Sequence, residues 1–463
     1  MNNIDIYNKA IANVPAYRKF LQEKVGKIPI VETQEDFETL PFMTKSDYIM
    51  QYPVPELCIG GTSEGSHIWL RSSGTSKKPF FWPRRYEDEK NMSRGVSKLF
   101  QRYVTVDQQP VLMVVGLALG PWGTGMQCSY MFRTVAHDVP GLAVVSPGLQ
   151  NENIIEVLER LSPMYKKTLL FCYPPFAKMV LEEAAQRGID LAALNLDLMV
   201  GGEGITETYR ESMWKLLGRT ERDLNSIWCL YGSTDFANVG FENALTIAVR
   251  RILVKNNLCN KVLGEPDVPM IFQRIPNKTH FEIVDGELVV TRFQGIPLIR
   301  YKSGDHLKFI PRDEMLARLL DLGFDAEQVV RDAGIPVPEF KTPFAALYGR
   351  IDQVVFFYGA KITVDQVKAA LEAPELKPYY NGRFLMRGTE NNNGYPMLEI
   401  SLEENSNLNQ TDLELIAELF ANALDKVQSE FREVRKLSPD QKHVNILPQP
   451  AEKFELGWKT RHM

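Results

Sequence analysis

Leu196-Asp-Leu-Met-Val-Gly-Gly-Glu-Gly204 decides the fold class. An apolar run leads into small residues and one acid, and Thr206 to Leu217 then repeats apolar side chains at helical spacing. The same unit stands on either side of it. Upstream, Thr168-Leu-Leu-Phe-Cys-Tyr173 reads as a strand, followed by a helix from Pro175 to a terminating Gly188. Downstream, Ile227-Trp-Cys-Leu230 reads as a strand that runs out into Tyr231-Gly-Ser-Thr-Asp235. Fully apolar strands separated by helices call for a parallel sheet covered on both faces. Ligands of such sheets bind beyond the carboxyl ends of the strands. Gly201, Gly202, Glu203 and Gly204, together with Tyr231, Gly232, Ser233, Thr234 and Asp235, therefore mark the expected ligand side.

Working outward, Val111-Leu-Met-Val-Val115 is another strand and Asn151 to Leu161 another helix, with Ile154, Ile155, Leu158 and Leu161 on one face. Residues 4–25 carry a helical pattern interrupted at Pro15, and Thr44-Lys-Ser-Asp47 looks like a helix start. Between the strand-like runs Ile68-Trp-Leu70 and Phe80-Phe-Trp82 lies Arg71-Ser-Ser-Gly-Thr-Ser-Lys-Lys-Pro79. Short hydroxyl donors, one glycine, two lysines and no acid suit a polyphosphate. The spacing is not that of a Walker A loop, and in isolation a solvated Ser/Lys turn explains it equally. Gly61-Thr-Ser-Glu-Gly65 matches a nucleophile elbow only by spelling, because an extended segment follows it where the elbow needs a helix.

Beyond Gly264 the pattern becomes antiparallel, with Asp285-Gly286 joining two strands as a hairpin. One or two surface helices are expected between Asp313 and Gly334. A smaller α+β unit follows, with strands at Val354 to Phe357 and Met397 to Leu402, a helix from Val364 to about Leu371, a long helix from Leu413 to about Val434 and a polar tail.

The totals narrow the function classes. At 463 residues, 44% hydrophobic and 24% charged, the chain has the composition of a globular protein with more than one domain. A net charge of −5 without a basic stripe gives no footprint for nucleic acid. The longest apolar stretch, Val111 to Met126, is broken by glycines and Pro121, so no membrane span is expected. Five scattered cysteines and a start without signal-peptide features point to reduced thiols and the cytoplasm.

Taken in order, these loops resemble the adenylate-forming superfamily, and within it the phenylacetate–CoA ligase branch. The resemblance covers most of the chain: Val14-Pro-Ala-Tyr-Arg18, Leu40-Pro-Phe-Met-Thr-Lys-Ser-Asp47, Ser72 to Pro79, Tyr173-Pro-Pro175, Gly201-Gly-Glu203, Tyr231 to Asp235, Gly295-Ile-Pro-Leu-Ile-Arg-Tyr301, Ser303-Gly-Asp305 and Gly349-Arg-Ile-Asp-Gln353. It implies an α/β architecture. A large domain (1–348) would have mainly parallel sheets flanked by helices plus a β-rich subdomain, and a small mobile α+β cap (349–463) would follow.

The resemblance also implies roles. Ser72, Ser73, Gly74, Thr75, Ser76 and Lys78 would hold the β- and γ-phosphates of ATP. Gly201, Gly202, Glu203, Tyr231, Gly232 and Ser233 would line the adenine and its surroundings, with Thr234 at the α-phosphate. Asp235 would be the carboxylate associated with Mg²⁺, Asp305 the ribose acceptor, Arg350 a nucleotide contact and Asp352 the hinge. A C-terminal lysine would complete the site: Lys459, with Lys453 as competitor, or neither if the tail is inert.

This chain departs from the pattern at Lys77, where a glycine is usual, at Ser303 for Thr, and at Asp235 for Glu. The lysine of the tail is displaced by one, and extra helices stand near 313–340. Trp122, Gly123, Thr124, Met126, Tyr130 and Tyr173 are candidates for an acyl pocket that would take a flat aryl or hydrophobic acid, or are ordinary core aromatics. The implied reaction activates a small-molecule carboxylic acid to acyl-AMP and passes it to a thiol, most simply coenzyme A. An amine or carrier-protein acceptor, a non-catalytic nucleotide binder and a homodimer stay open.

Overall fold

The computed structural model describes residues 2–71, 80–103, 109–120, 123–265, 267–276, 278–350, 354–380, 384–391, 393–403 and 409–450. The chain divides into two compact units, one running to Gly349 and the other starting at Arg350.

In the first unit, β1 (Ile68–Arg71) and β2 (Phe81–Arg84) pair antiparallel on either side of the polar loop, with Arg71 opposite Phe81. The parallel strands follow: β3 (Val111–Gly116), β4 (Leu142–Val145), β5 (Lys167–Cys172), β6 (Leu196–Gly201) and β7 (Ile227–Ser233). Helices Gly123–Asp138, Asn151–Arg160, Pro174–Gln186 and Glu207–Leu216 make the crossovers. Every residue of β3 and β6 is buried, as strands covered on both faces must be. Asp197 is the apparent exception, but it lies at the entry end of β6 and pairs with Lys167 at 2.5 Å and Arg219 at 3.2 Å.

The antiparallel strands are β8 (Ala237–Phe241), β9 (Met270–Arg274), β10 (His280–Val284), β11 (Glu287–Arg292), β12 (Leu298–Ile310) and β13 (Phe344–Arg350). Among the described residues they continue the same eleven-stranded sheet in the order β10-β11-β12-β13-β9-β8-β7-β6-β5-β3-β4. The parallel and β-rich textures thus form one layer. Asp285 and Gly286 both adopt positive φ, 52° and 79°, the conformation of the tight hairpin expected there.

The second unit contains the hairpin β14 (Val354–Phe357) and β15 (Ala360–Thr363), turning through Tyr358 and Gly359 at φ 50° and 82°. A second sheet holds β16 (Phe384–Glu390), β17 (Pro396–Glu403) and β18 (Val444–Gln449). Phe357, Ile362, Ile400, Phe420 and Phe431 are among its fully buried core.

Some local expectations hold and others change. The N-terminal pattern forms two helices, Asn3–Asn13 and Pro15–Val25, split at the proline. Thr44 does cap a helical turn, but only a short π-type one, Lys45–Ile49. The single long helix expected from Leu413 is two, Gln410–Val427 and Ser429–Leu437. Gln428 breaks it with an extended backbone; its side chain donates to the Lys361 carbonyl (2.7 Å) and accepts from Glu430 N–H (2.9 Å). Part of the polar tail is β18, which pairs parallel to β17. Helices Arg312–Leu320 and Ala326–Asp332 bury Met315, Leu319, Ala326 and Val330 in the large core, so the extra segment is a packed covering of that core.

Candidate active site

The exit ends of β6 and β7 carry the glycine- and hydroxyl-rich stretches. Gly201 ends β6, and Gly202 turns the chain at φ 91°. A Cβ on Gly202 would stand 2.8 Å from the Tyr173 ring, so glycine lets the aromatic ring lie directly against the backbone. Thr206 then caps helix Glu207–Leu216 by accepting from Tyr209 N–H at 3.0 Å. Beneath the turn, Arg250 donates to the Ile205 carbonyl at 2.8 Å, and the Cys229 thiol lies 3.6 Å from the Glu203 carbonyl.

β7 continues farther than its apolar core, through Tyr231, Gly232 and Ser233, with a register shift against β8 between Tyr231 and Gly232. Ser233 Oγ accepts from Asp235 N–H at 3.2 Å and sets the turn. Two crossed hydrogen bonds, each from a tyrosine to a carboxylate, join this segment to β12. The Tyr231 hydroxyl, from β7, donates to Asp305 of β12 at 2.7 Å, and the Tyr301 hydroxyl, from β12, donates to Asp235 beyond β7 at 2.7 Å. Tyr231 also stacks on Phe272 with ring centroids 5.5 Å apart. Ser303 Oγ accepts from Asp305 N–H at 3.1 Å, a bond that either serine or threonine provides.

Under Asp235 lies a buried polar layer. The Arg84 guanidinium, from β2, donates to the carbonyls of Thr234 and Asp235, and Gln294 Nε2 donates to the Asp235 carbonyl at 2.6 Å. Arg292 donates to the Phe236 carbonyl at 3.1 Å. Asp88 accepts from Gly295 N–H at 2.9 Å, and a Cβ on Gly295 would meet the Pro83 carbonyl at 2.5 Å, so β2 and the loop before β12 pack in direct contact. Glu89 is buried and accepts from Gln127 at 3.3 Å. Burial lifts its carboxyl above the usual range against the pull of Arg84. Burial and the neighbouring Arg84 bring the Arg292 guanidinium down to about 10, opposed by Asp88 and Glu89.

Of the acyl-pocket candidates, Gly123, Thr124, Met126 and Tyr130 all lie on helix Gly123–Asp138. Gly125 lets that helix start against the Ala118 carbonyl, which a Cβ would meet at 1.9 Å. Met126 is exposed, and the Tyr130 hydroxyl is 3.1 Å from His67 Nε2. Tyr173 belongs with Gly202, on the adenine side of the sequence assignment. Ser72 to Lys78, Trp122, Asp352, Lys453 and Lys459 lie outside the described residues, and Arg350 belongs to the second unit. Sequence reasoning passed over Arg84, Gln294 and Tyr301. Tyr301 stood inside a quoted motif; Arg84 had no signal beyond its place after the polar loop.

No family model matches the chain. Its fold is that of a solved CoA ligase. A solved 2-hydroxyisobutyryl-CoA ligase, in complex with 2-HIB-AMP and CoA, superposes with a TM-score of 0.61 at 15% identity, over 99% of this chain and 87% of that one. The same ligase in its postadenylation state gives 0.53 at 14% identity, over 97% and 85%. By sequence, the chain is 23% identical over 376 residues to a phenylacetate-coenzyme A ligase of Thermus thermophilus, spanning 79% of this chain and 73% of that protein.

Proposed function

We propose that this protein is an AMP-forming carboxylic acid ligase: it activates an organic acid, aryl or otherwise hydrophobic, with ATP and transfers the acyl group from acyl-AMP to the thiol of coenzyme A. The observation that carries the reading is the crossed tyrosine–carboxylate pair, which joins the exit end of β7 and the turn after it to the body of β12. The likeness to a phenylacetate-coenzyme A ligase and to a ligase solved with an acyl-AMP and CoA supports it.

In this reading the carboxylate of the acid attacks the α-phosphorus while pyrophosphate leaves. Two anions must approach, so positioning and charge stabilisation make up most of the task. Ser72 to Ser76 and Lys78 hold the outer phosphates, Thr234 faces the α-phosphate, and Asp305 takes the ribose hydroxyls. Gly201 to Glu203 and Tyr231 border the adenine, and Tyr173 closes the site against Gly202. The Asp235 carboxylate suits Mg²⁺: it is a hard oxygen donor, half-buried and oriented. When bound, that ion would offset phosphate charge. Residues 350–463 act as the movable cap, turning at Asp352, and Lys459 supplies the last positive charge.

The test is pyrophosphate release across an acid library, first without and then with coenzyme A. Acid-dependent release without coenzyme A, and thioester only with it, is the expected result; silence across the library overturns the reading. Lys459→Ala is expected to lower adenylation roughly 10²-fold, as for loss of one preorganised charge. Loss with Lys453→Ala instead reassigns the lysine.

A further inference from the structure

Asp235 is held from two sides. Its carboxylate accepts the Tyr301 hydroxyl at 2.7 Å through Oδ2, and among the described residues Oδ1 accepts no hydrogen bond. Its main-chain carbonyl accepts from Gln294 at 2.6 Å and from Arg84 at 3.3 Å, and Arg84 also takes the carbonyl of Thr234.

Each holder is itself fixed. Tyr301 is 2% exposed and follows Arg300, which adopts a left-handed backbone at φ 46°. That conformation is costly for a residue with a long side chain and persists only where its surroundings impose it. Here Arg300 donates to the carbonyls of Glu38 and Leu40, pairs with Glu282 at 3.2 Å, and lies 4.2 Å from the Phe42 ring centroid. Met43 N–H donates to the Arg300 carbonyl at 3.2 Å, and Lys302 N–H to the Met43 carbonyl at 2.9 Å. Arg84 is equally buried, with its guanidinium 5.9 Å from the Trp82 ring centroid.

We propose that Tyr301, with Arg84 and Gln294 behind it, positions Asp235 so that Oδ1 alone is presented to a divalent cation. The inference rests on the function proposed above, in which Asp235 is a metal-associated carboxylate. It explains how an aspartate serves where a longer glutamate is usual: a short side chain has less reach and needs its backbone placed. Tyr301 and Arg84 touch no substrate in this scheme and are positioning residues. Arg84 also closes β2, the strand that leaves the polar loop, so one side chain ties the loop's exit to the metal-bearing turn.

The experiment measures Mn²⁺ binding by electron paramagnetic resonance, in the full-length protein with the α,β-methylene analogue of ATP. Tyr301→Phe is expected to weaken Mn²⁺ binding about 10-fold, the size typical for loss of a partner that orients a ligand. In an Asp235→Ala background the same change is expected to have no effect, because Tyr301 acts through Asp235. Equal weakening in both backgrounds, or none in either, overturns the proposal. If Tyr301→Phe does not fold, Gln294→Met carries the test: weaker Mn²⁺ binding that vanishes with Asp235→Ala supports the clamp, and unchanged binding sinks it. Unchanged Mn²⁺ binding in Asp235→Ala alone would instead remove the metal role itself.

Discussion

Two buried clusters of charge stand at the two ends of β7 and are built on opposite rules. At the entry end, Arg210 pairs with Glu242 at 2.7 Å and Glu207 at 3.3 Å, while Arg250 and Arg251 reach Glu207 at 2.6 and 3.1 Å. Two further bonds tie the cluster to the strand: Arg210 donates to the Ile227 carbonyl, and Glu242 accepts from Cys229 N–H at 2.9 Å. At the exit end, Arg84 and Arg292 form no ion pair among the described residues and donate to main-chain carbonyls, Arg292 also to the Thr279 hydroxyl at 3.3 Å.

The titration behaviour follows from this difference. Burial lowers a guanidinium, yet Glu242 and Glu207 together raise Arg210 above its ordinary value. For Arg84 burial wins over Glu89, Asp88 and Asp235, and the value falls. A cluster whose cations meet buried carboxylates is costly to break, because losing one partner leaves an uncompensated charge. A cluster whose cations hold carbonyls beside Asp235 contributes the shape of a turn, at some expense in desolvation.

The sharpest way to break this contrast is Arg210→Leu. It strands the buried carboxylate of Glu242, while Glu207 keeps Arg250 and Arg251, and is expected to cost about 3–5 kcal/mol in urea denaturation; a loss below about 1 kcal/mol would show that the entry cluster is not structural. Next in size, Arg84→Met removes a cation with no ion-pair partner to strand. Its expected cost is about 1–2 kcal/mol, within the ordinary range for single changes, while adenylation falls about 10-fold or more. Equal stability losses in the two variants would erase the distinction.

The smallest effect sharpens the comparison through pH. Burial alone would lift Glu207, but Arg210, Arg250 and Arg251 bring it below its ordinary 4.5, so its contribution is complete above that value and is lost as pH falls through the lower folded value. Glu89 has the opposite sign. Its folded value is raised from 4.5, so the folded state takes up the proton first on acidification and gains stability in the interval above 4.5. Thermal scans from pH 7 to 3 are expected to show a shallower acid loss below about 4.5 for Glu207→Gln and a steeper loss above it for Glu89→Gln. A change of slope in the same direction in both variants would refute the assignment.

Much of the architecture was legible because its signals are local. Apolar runs gave β3, β5, β6 and β7, Pro15 split the first helices, and Asp285-Gly286 gave the hairpin. The misreadings also have local causes. Gln428 sits in an unbroken helical pattern, and only its bond to Lys361, 67 residues away, shows why the helix ends there. The tail after Leu437 is polar because β18 lies partly exposed, which hides its strand character. In the site, hydroxyl and glycine types announced the strand ends, whereas Arg84, Gln294 and His67 lie in segments whose composition carries no chemical signal.

The amino-acid sequence by itself determined the alternating α/β order, the change to antiparallel strands and the residue types at the ends of β6 and β7. Side-chain periodicity and turn chemistry act over a few residues and need no partner. Only the tertiary structure decided which ends meet. Tyr231 reaches Asp305 across 74 residues, Tyr301 reaches Asp235 across 66, and Arg84 reaches Thr234 across 150. β12 and β7 are not neighbours in the sheet, so these contacts depend on how the sheet curves and on what packs beneath it, and no local pattern encodes that.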